Sequence, residues 1–335
     1  MAKQVETLKL AFIDGEGSAS LLHLPGLLAT PDVTIAGIAT LPGTRNPIAQ
    51  RLPDARDYAD DFTGMIEKER PDLVYAIISP LRRYEIAAAV LKASCNLIVN
   101  KPPAITTEQI RQLDQIARKQ GVTTGVVFYR RYSPLVRRAK ALCEERGSVH
   151  SATATFYKNS IGREAYSQGG IDALTSDAIH SVDTIRYLCG GEVESVASSV
   201  RRLHADWTNA HEALVRFSTG AIGTILTNFA CGRRMFTIEA HGKGISCFGD
   251  LEEGGHVYAD GGIDPIEALN VMDGHDPDYY RGFGIADLIV PKSSWHTEAN
   301  AHFFECIREG RQPETSFGDA TKTMELVDAI NQCQI

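Results

Sequence analysis

Leu8-Lys9-Leu10-Ala11-Phe12-Ile13-Asp14-Gly15-Glu16-Gly17-Ser18-Ala19-Ser20 is the stretch that decides the fold. Leu8 to Ile13 reads as a short strand, and the residues after it spell Gly-x-Gly-x-x-Ser. Gly15 permits a tight turn. Gly17 lets the backbone approach a pyrophosphate over a helix N-terminus, where Ser18 and Ala19 begin the helix. Serine in place of a third glycine is small enough to keep helix and strand close. Alone, the same residues would serve a glycine turn with no ligand.

Beyond this turn, strand and helix alternate. Val33 to Ala39 is apolar and ends at Thr40, about 20 residues after the turn, where an acid normally accepts from the adenosine ribose hydroxyls. With threonine there and Arg45 close behind, a 2′-phosphate is tolerated, which favours NADP over NAD. A solvent-facing Arg45 would explain the same residue. Leu73 to Ile78 is the next strand, stopped by Ser79-Pro80, and Arg82 to Ala93 is an unbroken helix. Leu97-Ile98-Val99 is a buried strand ending in Asn100-Lys101-Pro102. Thr106 and Gln109 then stand at capping-box spacing before a helix from Thr107 to Gln120, with Gly121 as its stop. Thr123 to Phe128 is a further strand. Unbroken apolar strands alternating with helices imply a parallel sheet covered on both faces. Lys101 stands at the carboxyl end of an inner strand, where such sheets bind ligands.

The chain has 335 residues, enough for two domains. Hydrophobic residues at 43% and charged residues at 23% suit a soluble globular protein, and the net charge of -8 argues against a non-specific nucleic-acid binder. No apolar run reaches the roughly 20 residues that span a membrane, and the start does not resemble a signal peptide, so a cytoplasmic location is expected. Seven scattered cysteines without a Cys-x-x-Cys pair are the usage of a reducing compartment, and no metal site is expected.

After Pro134 the pattern changes. A helix from Leu135 to Glu145 leads into Val149 to Phe156, whose period is nearer two. Val193 to Val200, Ala213 to Phe217, Ala221 to Thr227 and Met235 to Ala240 are further strands, with Ser218-Thr219-Gly220 a hairpin connection. These predict an antiparallel or mixed sheet open on one face. Phe248 to Lys292, rich in Gly, Asp and Pro, is expected to be loops. His302 to Glu309 and Thr321 to Ile330 read as helices packing back on the first domain.

Asp72-Leu-Val-Tyr-Ala-Ile-Ile-Ser-Pro80, Glu85-Ile-Ala-Ala-Ala, Asn100-Lys101-Pro102 and Phe128-Tyr129-Arg130-Arg131-Tyr132-Ser133-Pro134 occur in an order and spacing that resemble the glucose–fructose oxidoreductase / inositol dehydrogenase (Gfo/Idh/MocA) family. The resemblance covers nearly the whole chain. It implies an α/β protein: an N-terminal Rossmann dinucleotide-binding domain over residues 1–128, and a C-terminal α+β domain over 129–335 with a large, mainly antiparallel open sheet. That sheet would make a homodimer or homotetramer. His23 matches the family pattern. Asn100 stands where Glu is usual, Tyr84 where His is usual, and Ser94 where Gly is usual.

Within the resemblance, Gly169 to Asp183 looks like the family's glycine-rich turn entering the helix that carries the catalytic histidine, here His180. The usual acid four residues earlier is Ser176, and Asp177 is its neighbour on nearly the same helix face. Asp183 matches an orienting or structural aspartate. Arg130 aligns with an arginine near nicotinamide and substrate. Arg234, with Lys158, would make the pocket cationic, suiting a sugar acid or sugar phosphate; surface or interface charge is the plainer reading.

The expectation is therefore hydride transfer between a nicotinamide cofactor, NAD or NADP, and a hydroxyl or keto carbon of a sugar, inositol or sugar-derived substrate. His180 would be the base and Lys101 would stabilise alkoxide charge, with Asp177 or Ser176 orienting the imidazole. Ser79, Pro80 and Asn100 complete the expected cofactor contacts. Three alternatives stay open: cleavage of glycosides or a lyase reaction with transiently used, tightly bound NAD; a non-catalytic cofactor-binding protein; and reduction of an imine or unsaturated bond.

Overall fold

The computed structural model describes residues 7–45, 47–160, 171–251, 254–259, 262–264 and 295–333. Two units emerge: residues 1–127 with 274–321, and residues 128–273 with 322–335.

Unit one begins with β1 (Leu8–Asp14), whose side chains are nearly all buried, followed by α1 (Ser18–Leu28), β2 (Val33–Thr40), β3 (Arg56–Asp57) and α2 (Phe62–Glu69). Then come β4 (Leu73–Ile77), α3 (Pro80–Lys92), β5 (Asn96–Val99), α4 (Thr107–Gln120) and β6 (Thr124–Val126). The strands form one parallel sheet in the order β3-β2-β1-β4-β5-β6. All five residues of β4 are buried, as a strand covered on both faces requires. The order reverses direction between β1 and β4, so the carboxyl ends of those strands flank the switch point at which open α/β sheets bind ligands.

Local chemistry sets the helix limits. Thr106 Oγ1 accepts from the Gln109 N–H at 3.2 Å, and Gln109 Oε1 accepts from the Ile105 N–H at 3.1 Å. Gly121 ends α4 in the left-handed conformation. Pro80 opens α3 at a position whose N–H has no helical partner. The strand expected over 123–128 is shorter because Phe128 leads into a 3-10 turn, Tyr129–Tyr132.

Unit two starts at that turn and continues with α5 (Pro134–Glu144), β7 (Ser151–Asn159), one π-helical turn (Leu174–Ala178), α6 (Ile179–Cys189) and β8 (Val193–Arg201). The hairpin β9 (Ala210–Phe217) and β10 (Ile222–Asn228) comes next, with Gly220 at φ 84° in its turn. β11 (Ala230–Gly242), β12 (Ile245–Asp250), β13 (Gly254–Ala259) and β14 (Gly262–Asp264) complete a sheet ordered β14-β13-β12-β11-β7-β10-β9-β8. Among the described residues of this sheet, β7 and β10 alone pair in parallel. The sheet is mixed and mainly antiparallel.

Helix α6 lies so close to β10 that a Cβ on Gly223 would stand 2.4 Å from Ile185 Cγ2. Phe156, Phe217, Phe229 and Phe236 are fully buried on this sheet.

Two expectations change. The end of β12, from Phe248, and all of β13 and β14 occupy a stretch expected to be loops; β12 alternates buried and half-buried residues, a period-two signature. The remainder of that stretch, 265–292, lies outside the described residues. Helix α7 (Trp295–Glu309) belongs to unit one, where Phe303 touches Gly125. Helix α8 (Phe317–Gln332) crosses the boundary, and from Lys322 it belongs to unit two. There Arg186 donates to Thr323 Oγ1 at 2.6 Å, and Ser198 Oγ donates to the Ile330 carbonyl at 2.6 Å.

Candidate active site

The turn after β1 is held from below. The Gly15 N–H donates to the Ile77 carbonyl at 2.8 Å, and a Cβ there would meet Leu41 Cδ1 at 2.9 Å and the Ile77 oxygen at 3.2 Å. Glycine fits here without crowding the Ile77–Ile78 backbone. The fully buried Asp14 carboxylate accepts from the Gly17 N–H at 2.9 Å, from Ser20 Oγ at 2.6 Å and from the Ile48 N–H at 2.9 Å. Asp14 thus ties the turn to the loop after β2. The Ala19 N–H donates to the Glu16 carbonyl at 2.7 Å. Ser18 is the first residue of α1. This close-packed turn at the switch point fits a dinucleotide pyrophosphate.

Thr40 ends β2, and its buried Oγ1 has no hydrogen-bond partner among the described residues. Arg45 is exposed in the loop beyond. Ser79 and Pro80 are buried at the start of α3. Beside them Asn100 Oδ1 accepts from the Ile78 N–H at 3.1 Å and from Arg83 Nη2 at 2.6 Å, while Asn100 Nδ2 donates to Glu16 Oε2 at 2.9 Å. Lys101 is half-buried directly after, joined to Pro102 by a cis peptide bond.

His23, which matches the family pattern, belongs to a hydrogen-bonded network whose other members the sequence did not single out. His23 Nδ1 lies 3.0 Å from the Tyr75 hydroxyl, which donates to Asn300 Oδ1 at 3.3 Å, and the His296 ring sits edge-on to His23 at 4.7 Å. Burial holds the His23 pKa well below its ordinary value, and the charges of His296, Lys101 and Arg83 push the same way. Both effects favour the neutral imidazole at His23.

In unit two, Asp172 forms the helix entrance. Its carboxylate accepts from the Thr175 N–H at 2.8 Å, from Thr175 Oγ1 at 3.1 Å and from Asn331 Nδ2 at 3.3 Å. The π turn after it carries Ser176 and Asp177, so these residues do not keep the regular α spacing to His180 that the sequence suggests. Single π turns of this kind recur at functional sites. Asp177 forms an ion pair with Lys158 at the end of β7. Gly169 and Gly170, expected to open this segment, lie outside the described residues.

His180 is 1% exposed, with its ring edge-on to Tyr129 at 4.7 Å and to Phe128 at 6.2 Å. The neighbouring arginines of the 3-10 turn diverge. Arg131 forms a buried two-pronged ion pair with Asp183, its Nε donating to Oδ2 at 3.0 Å, and Thr323 Oγ1 donates to the same carboxylate at 3.3 Å. Arg130 instead sets its guanidinium carbon over Phe236, 3.9 Å from the ring centroid, and 5.1 Å from that of Phe156. Its Nε and Nη1 have no hydrogen-bond partner among the described residues. Arg234 stands 5.0 Å over Phe156, and Lys158 5.1 Å over Phe229. Arg130, Lys158 and Arg234 therefore share one aromatic cluster.

Two sequence models of one family match the chain: an oxidoreductase family with an NAD-binding Rossmann fold over residues 9–128, and a GFO/IDH/MocA C-terminal domain over residues 136–246. The chain belongs to the Gfo/Idh/MocA oxidoreductase family. The putative oxidoreductase YceM of Salmonella typhimurium (strain LT2) is 24% identical, with 97% of this chain and 98% of that protein covered. The D-glucoside 3-dehydrogenase of Escherichia coli (strain K12) is 25% identical over 76% of this chain and 79% of its own length. A dehydrogenase from Chromobacterium violaceum shares the fold at a TM-score of 0.80, with 22% identity and coverage of 98% and 96%. This oxidoreductase presents no group of three His, Cys, Asp or Glu placed to hold a metal ion among the described residues. No described helix is long and apolar enough to cross a membrane.

The sequence missed Asp14, Glu16, Arg83 and Arg131. Asp14 and Glu16 flank the turn glycines, which is the one signal that pointed to them. Arg83 was only a position in the helix from Arg82 and Arg131 only a member of the quoted motif, because nothing local in sequence reveals burial.

Proposed function

We propose that this chain transfers hydride between NAD(P) and a secondary hydroxyl or keto carbon of a sugar, inositol or sugar-derived substrate. The observation that carries this reading is the strand order of unit one, which sets the glycine turn and Lys101 at the carboxyl ends of strands beside one switch point. Nicotinamide, when bound, supplies the hydride acceptor or donor. Gly15, Gly17, Ser18 and Ala19 would hold the pyrophosphate, Thr40 and Arg45 the adenosine ribose, and Ser79, Pro80, Asn100 and Arg130 the nicotinamide half.

A ring nitrogen of His180 takes the hydroxyl proton during oxidation and returns it during reduction. The Lys101 ammonium would stabilise negative charge developing on the substrate oxygen. The Asp177–Lys158 ion pair fixes the helix entrance before His180. The absence of an acid at the end of β2 favours NADP. Three cations and one carboxylate around Phe156 favour a substrate with a carboxylate or phosphate.

The test is a panel of neutral polyols, aldoses, sugar acids and sugar phosphates, followed at about 340 nm, the reduced nicotinamide band, with both dinucleotides. Turnover should be fastest with an anionic sugar and NADP. Net reduction with none of them would overturn the reading, and equal rates with neutral polyols would remove its anionic part.

A further inference from the structure

In the Gfo/Idh/MocA pattern the residue before the lysine is an acid, and here it is Asn100. The structure gives that asparagine two opposite tasks. Its Oδ1 accepts from the fully buried Arg83, at 2.6 Å from Nη2, and from the Ile78 N–H at 3.1 Å. Its Nδ2 donates to Glu16 Oε2 at 2.9 Å. The amide orientation is forced, because the flipped form would aim an NH2 at two donors and a carbonyl at a carboxylate. Arg83 Nη2 donates also to the Ile78 carbonyl, which fixes the guanidinium against the end of β4. A carboxylate at position 100 would satisfy Arg83 and repel Glu16. An apolar residue would satisfy neither. The side-chain amide accepts from the cation with its oxygen while its NH2 donates to the acid.

We infer that Asn100 is a positioning residue, a latch that ties Glu16 in the Gly15–Gly17 turn to the segment carrying Lys101. The carboxylate of this pair stands at position 16 and the amide at position 100. The latch holds the turn in the shape that receives dinucleotide, so the inference rests on the reading that this turn binds the cofactor. Swapping which partner is the acid preserves charge and hydrogen bond together, and that swap supplies the test.

Binding of NADH and NADPH is measured by fluorescence titration for the wild-type chain, N100D, E16Q, the double variant N100D/E16Q, and E16A. Hydrogen exchange at the Gly17 to Ala19 amides is followed without cofactor. N100D should weaken binding roughly tenfold and speed exchange in the turn, since it sets two carboxylates against each other in a partly buried place. N100D/E16Q, in which the new glutamine donates to the new aspartate, should return to within about threefold of wild type. E16Q keeps an acceptor for Asn100 and E16A does not, so E16A should bind several-fold more weakly than E16Q at equal charge. This second comparison changes only a half-exposed turn residue and holds if N100D fails to fold. Equal binding and exchange in N100D and wild type, no recovery in the double variant, or identical E16A and E16Q would overturn the latch. If wild type binds neither dinucleotide, the cofactor reading falls, and the exchange rates still decide whether the latch exists.

Discussion

The Arg131 and Asp183 side chains are 5% and 1% exposed, and each is the other's counter-ion. Removing one partner strands a buried charge, at a cost of about 3–5 kcal/mol. Asp183→Asn should therefore lower the urea midpoint sharply, read by circular dichroism. His180 makes a different demand. It is equally buried, yet its substitution by asparagine should cut kcat by about 10²–10⁴-fold and leave dinucleotide affinity within about twofold of wild type. Steady-state rates and a fluorescence titration separate the two effects. At this scale the sequence was informative about type and silent about direction. It named Arg130 and left Arg131 unremarked, although adjacent residues in a tight turn point to different neighbours. One covers an aromatic ring and the other anchors a helix.

Helix α3 ends at Lys92, and Ser94 two residues later adopts φ 57°, a left-handed conformation that favours glycine. The family's usual glycine at this position has its physical reason there. Ser94→Gly should raise stability by about 1 kcal/mol, less what the Ser94 Oγ bond to Gln120 contributes, measured as a shift in denaturant midpoint. Helices with caps and strands with unbroken apolar runs were legible from the residues alone, because their signals are local. The strands β12 to β14 were not. Their glycines and aspartates speak for loops, and only pairing with β11 and with one another makes them strands. The π turn before His180 was equally hidden, since one extra residue in a helical turn leaves no mark in periodicity.

Over the whole molecule, pH acts through histidines that folding keeps neutral. His23 is depressed by burial and then by neighbouring positive charge, and His211 by burial. Unfolded, each titrates near 6.5. Below that pH the unfolded chain binds protons that the folded chain refuses, so stability falls as pH falls and is fully present above it. His23→Gln should flatten part of that decline and leave the His211 part, as thermal midpoints across a pH series would record. The change from a parallel to a mainly antiparallel sheet was written in the change of period after Pro134. The allotment of α8 was not, because an amphipathic helix does not name the surface it covers. The proposed reaction links residue and sheet, since the strand order sets Lys101 where it would act on the substrate oxygen. Replacing Lys101 by methionine keeps the length of the side chain and removes its charge. With the best substrate of the panel, K101M should bind the dinucleotide within about threefold of wild type while its single-turnover rate at about 340 nm falls by 10²-fold or more. Turnover that survives the substitution at the wild-type rate would contradict the assignment.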